Sequence, residues 1–94
     1  MIRVQRLSGA DPLVFQVDIA EADGASRHRV TLQAAEAARL GGGSPPERLV
    51  EAAFRFLLDR EPRDAILARF DLSVISHYFH DFERELPRYL KMSD

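Results

Sequence analysis

Residues 13–20 place Leu13, Phe15, Val17 and Ile19 at alternate positions, with Val14, Gln16, Asp18 and Ala20 between them. Period-two alternation of this kind is the signature of a strand that buries one face, because a helix would scatter the same four apolar side chains around its axis. A strand buried on one face needs partners, and the flanking sequence supplies two. Ile2 and Val4 alternate within residues 1–7, ahead of turn chemistry at Ser8-Gly9-Ala10-Asp11-Pro12. On the other side, Asp23-Gly24 is a strong hairpin signal. A two-residue turn centred there pairs Val17 with Val30, Phe15 with Leu32 and Ile19 with His28 on the inner face. It pairs Asp18 with Arg29 and Gln16 with Thr31 on the outer face. A three-stranded antiparallel meander over residues 1–33 is therefore expected.

Residues 34–90 change period. Residues 34–40 favour a short helix that Gly41-Gly42-Gly43 stops. Ser44-Pro45-Pro46-Glu47 then has the form of a capping box, with Ser44 as the cap and Glu47 at its third position. The helix it opens, from 45 to 60, carries an apolar arc of Leu49, Val50, Ala53, Phe54, Phe56, Leu57 and Leu58. An arc that wide makes it the central helix. Residues 62–70 read as a short helix turning Ile66, Leu67 and Phe70 inward. The stripe of Leu72, Ile75, Tyr78, Phe79 and Phe82 reads as another helix, ending before Pro87. The tail from Arg88 to Asp94 is weakly specified. Three to four helices packed on one face of the meander make the expected class α+β, in one domain spanning 1–94.

The charges divide evenly in residues 1–44, with five basic and five acidic, while residues 45–94 hold eight basic and ten acidic. No basic half or tail exists, which disfavours nucleic acid as a partner without excluding it. Cysteine is absent, so thiolate nucleophiles and cysteine-ligated zinc are excluded. No apolar run reaches signal-peptide or membrane-span length. This leads to the expectation of a bacterial cytoplasmic protein, and twelve arginines against one lysine point separately to a GC-rich genome.

Nothing in the chain marks an active site. His77, His80 and Asp81 share one face of the expected helix, a spacing that suits a metal, but Arg84 lies on that same face and repels a divalent ion. Ser8, Ser26, Ser44 and Ser73 fall at turns and caps, and the acids of 59–61 and 83–85 interleave with arginine as solvated surfaces do. Gly41-Gly42-Gly43-Ser44 lacks the lysine and the preceding strand of a phosphate loop. No catalytic residue, metal ligand or cofactor is assigned.

Two resemblances remain. His28-Arg29-Val30-Thr31-Leu32-Gln33 followed by two helices resembles a ribbon-helix-helix DNA-binding antitoxin or repressor. In that family a strand pairs with its dimer mate and lays alternate polar side chains in the major groove. The resemblance implies Arg29, Thr31 and Gln33 as base-reading residues and Ser44 as the cap of a phosphate-contacting helix. The second covers most of the chain. Phe54-Arg55-Phe56-Leu57-Leu58-Asp59-Arg60-Glu61, with Ile66-Leu67, Phe70-Asp71-Leu72, Val74-Ile75 and Tyr78-Phe79, resembles a family of short bacterial proteins with no assigned function. It implies a shared fold and no site residue. The expected function is a non-enzymatic protein-interaction or regulatory module working through the outer sheet face or a strand edge, with an unknown protein partner. The alternative is a ribbon-helix-helix-like DNA-binding regulator.

Overall fold

A computed structural model describes residues 1–92. Ile2–Gly9 (β1), Leu13–Glu21 (β2) and Gly24–Leu32 (β3) form the antiparallel meander, confirming an α+β chain. Five of its inner side chains, Phe15, Val17, Ile19, Val30 and Leu32, are at most 1% exposed, so the alternating residues do face the core.

The hairpin register differs from the expected one. Phe15 lies opposite Val30, Val17 opposite His28, Asp18 opposite Arg27 and Gln16 opposite Arg29. The turn residues are Ala22 and Asp23, because Glu21 already pairs with Gly24. The partner strand has slipped by two residues, and because the side-chain period is also two, every residue keeps its face. Gly24 sits at φ 150°, and a Cβ there would come within 3.0 Å of Nη2 of Arg63. Glycine admits both that backbone and the guanidinium packed over it.

The meander is not the whole sheet. Arg69–Asp71 (β4) pairs in parallel with β3 and completes a four-stranded mixed sheet in the order β1-β2-β3-β4. The short helix expected over 62–70 is thus corrected to a 3-10 turn, Arg63–Ala65, followed by this strand. Tertiary hydrogen bonds override helix propensity here: the Arg29 amide donates to the Ala68 carbonyl and the Leu72 amide to the Thr31 carbonyl, both at 2.8 Å. The division into a sheet part and a purely helical part after residue 33 gives way accordingly.

Four α-helices follow the meander: Ala34–Gly41 (α1), Pro46–Arg60 (α2), Val74–Tyr78 (α3) and Phe82–Met92 (α4). α1 begins where the Asp11 carboxylate accepts the Ala34 amide at 3.0 Å, and it stops at Gly42, in the left-handed conformation at φ 57°. The capping box at α2 does not form. Pro45 holds the cap position without a side-chain bond, and Glu47 instead makes a double ion pair with Arg6 of β1, at 2.8 and 2.9 Å. The stripe expected to run through 72–82 breaks at Phe79, in extended conformation, leaving Tyr78 72% exposed. α4 then runs through Pro87, since Phe82, Leu86 and Tyr89 at successive turns are all buried. Within the tail expected to be weakly specified, residues 88–92 are helical, and its last two positions lie outside the described residues.

Phe56 of α2 is the aromatic centre of the helical layer. Its ring meets Phe79, Phe82 and Tyr89 edge-on, at centroid distances of 5.8, 5.1 and 5.7 Å. The Arg60 guanidinium covers the same ring at 4.4 Å. Among the described residues no helix is long and apolar enough to cross a membrane.

Candidate functional site

The residues that looked chemically interesting are dispersed by the fold. His77 ends in α3, His80 in the break beyond it, and the Asp81 carboxylate is taken by Arg60. Among the described residues no group of three His, Asp or Glu side chains is placed to hold a metal ion. His28 is buried and structural. The Leu67 carbonyl can only accept, so Nδ1 of His28 donates to it at 2.7 Å, which leaves Nε2 facing the Ser26 hydroxyl at 2.8 Å.

An apolar cleft of about 390 Å³ opens between the C-terminal end of α2 and the segment 65–79. Leu57, Ile66, Phe70 and Ile75 line it, while the exposed Leu67 and Tyr78 form its lips. Glu61 and the Tyr78 phenol are its only ionisable groups. The rest of the lining is apolar.

The outer face of the sheet is a different kind of surface. The core side chains of β2 and β3 point to the opposite side, and the register arranges the outward side chains in rows running across the strands. One row is Gln5, Gln16, Arg29 and Arg69, each opposite the next on successive strands. A second is Arg3, Asp18 and Arg27; a third is Val14, Thr31 and Asp71. Arg3, Arg27, Arg29 and Arg69 are exposed. Four arginines therefore meet two carboxylates on one face of a chain whose formal charge is −2.

Both carboxylates are already engaged. Asp18 accepts from Arg27 at 2.8 Å and from Gln16 at 3.1 Å, and these bonds hold its carboxyl below the ordinary value. Burial pushes the Asp71 carboxyl up, yet donors from Ser73, Thr31 and Gln33 outweigh it and leave the group lowered. Thr31 Oγ1 is 2.5 Å from Asp71, and Ser73 Oγ 2.6 Å. Among the described residues the guanidiniums of Arg3, Arg29 and Arg69 make no hydrogen bond or ion pair.

Of the three residues expected to read bases, Arg29 projects from the middle of this face, while Thr31 and Gln33 are turned to Asp71. β3 is hydrogen-bonded to β2 along its length, and β4 covers its other edge over Arg29–Thr31, the stretch that includes Arg29 and Thr31 themselves. Sequence reasoning missed Arg69, which reaches this surface only because β4 joins the sheet. A charged position three residues before Leu72 carries no local sign of that pairing.

Fold and surface define an α+β protein with one bare, arginine-rich sheet face. Comparison with known proteins found no family model, no curated protein and no solved structure that matches this chain.

Proposed function

We propose that this chain is a non-enzymatic interaction module of a regulatory kind, acting in a bacterial cytoplasm through the outer face of its sheet. The observation that carries the reading is the opposition of Arg29 and Arg69, neither with a carboxylate partner among the described residues. Like charges placed opposite each other across strands are unfavourable for folding alone, so a surface that retains them is better explained by what it contacts. The free edge of β1 is the weaker candidate. A bulge between Arg6 and Ser8 interrupts that strand, and bulges with charged side chains are the usual means of discouraging edge pairing.

A photo-crosslinking amino acid placed at Gln16, on the outer face, and separately at Ala38, exposed on α1, tests the reading in the native host. A discrete protein adduct from position 16 and none from 38 is expected. No adduct from 16, or the same adducts from both positions, would remove the outer face as the working surface.

A further inference from the structure

We infer that the outer face receives an acidic protein segment laid across the strands, with carboxylate at its β3–β4 end; the inference rests on the interaction reading above. Its basis is the row Gln5, Gln16, Arg29 and Arg69, which crosses all four strands without an acidic residue. Two amides occupy the β1–β2 end and two unpaired guanidiniums the other.

Spacing sets the length of the segment. Neighbouring strands lie about 4.8 Å apart, so the row measures roughly 14 Å, the reach of about four extended residues. Arg29 and Arg69 stand on adjacent strands, close enough to clamp one carboxylate between two planar forks. Nε2 of Gln16 is turned to Asp18, so its carbonyl oxygen is free to accept a peptide N–H. Gln5 is exposed and offers both a donor and an acceptor. The segment is thus recognised by charge at one end and by its backbone at the other.

Nucleic acid fits the same face less well. None of the residues in the three rows is aromatic, so bases have no stacking platform. Asp18 and Asp71 flank the row, and three unpaired guanidiniums are few against the roughly 6–10 phosphate contacts of a typical backbone binder.

The test is an amide-resolved NMR titration of the isotope-labelled full chain with three probes. These are a blocked hexapeptide carrying two adjacent glutamates, the same peptide with glutamines, and a single-stranded hexadeoxynucleotide. The glutamate peptide is expected to shift the amides of Gln5, Gln16, Arg29 and Arg69 in a saturable way. Binding should fall about tenfold with the glutamine peptide and by a similar factor in Arg69→Gln, a loss typical of one charge-assisted bond. The dispersion of the variant's spectrum shows whether it remains folded. Equal binding of the two peptides, no shift with either, or tighter binding of the oligonucleotide would overturn the inference. A crosslinked adduct from position 16 that persists in Arg69→Gln would also overturn it, while leaving the interaction face itself standing.

Discussion

Nδ1 of His28 lies 2.7 Å from the carbonyl oxygen of Leu67, a contact across 39 positions of sequence that ties the segment before β4 to the inner face of β3. The ring also packs against Phe54, at a centroid distance of 5.5 Å. One buried imidazole therefore joins the sheet, the central helix and the incoming fourth strand.

Replacing it tests that role. His28→Leu keeps most of the volume but leaves the Leu67 carbonyl without its donor, so a loss of about 1–3 kcal/mol is expected in chemical denaturation. Hydrogen exchange locates the damage: the Arg29 amide, bonded to Ala68, should lose more protection than the amide of Asp18, opposite Arg3 in the β1–β2 pair. Unchanged protection at Arg29 would mean that β4 docks without the histidine.

The arginine pair gives a prediction of opposite sign. Arg69→Gln removes a like charge facing Arg29 and is expected to stabilise the fold by a few tenths to about 1 kcal/mol. A mutation that raises the melting temperature while weakening an acidic ligand separates the two demands on this face. A destabilised variant would show that the pair is held by interactions favourable to folding.

Tyr89 donates its hydroxyl to Asp59 at 2.6 Å, and this bond is the first cause of a phenol pKa raised above 10.0. Tyr89→Phe should therefore cost about 1 kcal/mol near neutral pH. The folded pKa is raised, so the contribution is fully present below the unfolded value near 10 and is lost as pH rises through the folded one. The gap between wild type and variant should close above pH 10; a gap that is constant there would assign the loss to packing.

Arg39 bridges α1 and α4 through Glu36 and Glu83, with contacts of 2.8 to 2.9 Å. Its hydrogen bonds lower both carboxyl pKa values below 4.5. Depressed carboxylates stabilise above the unfolded value and lose that contribution as pH falls through the folded one. Arg39→Ala should be less stable than wild type at pH 7, by no more than about 1 kcal/mol because all three groups are largely solvated, and the difference should shrink as pH falls below 4.5. A difference that does not shrink as pH falls below 4.5, or one indifferent to high salt at pH 7, would show that the charges are not its source.

Phe56→Ala is expected to be the most damaging single change considered, costing about 3–5 kcal/mol in denaturant titration. It removes the ring that Phe79, Phe82 and Tyr89 meet edge-on and that the Arg60 guanidinium covers. A loss under about 1 kcal/mol would mean that α4 can repack without it.

Much of the first third of the fold was legible because side-chain alternation is local. Leu13 to Ile19 point inward whatever they pair with, and the register slip, being even, changed neighbours but not faces. The turn itself was misplaced by one residue, because Gly24 serves the packing of Arg63 more than it serves the turn. Ser44 was read as a cap on local chemistry alone; Arg6, 41 residues before Glu47, offered that carboxylate a two-pronged partner the local pattern does not contain. The candidate surface was half visible. The local pattern marks Arg29 within a polar strand, whereas Arg69 carries no such mark and comes beside it only through the β3–β4 pairing.

The sequence by itself therefore determined the element types of the meander and central helix and which side chains each would bury, since both follow from periodicities of two and 3.6 residues. Tertiary structure alone decided that residues 69–71 become a strand and that Arg69 comes to face Arg29. Local propensity in 62–70 is weak, and the open hydrogen-bonding edge of β3 is a long-range demand that no pattern within those nine residues records.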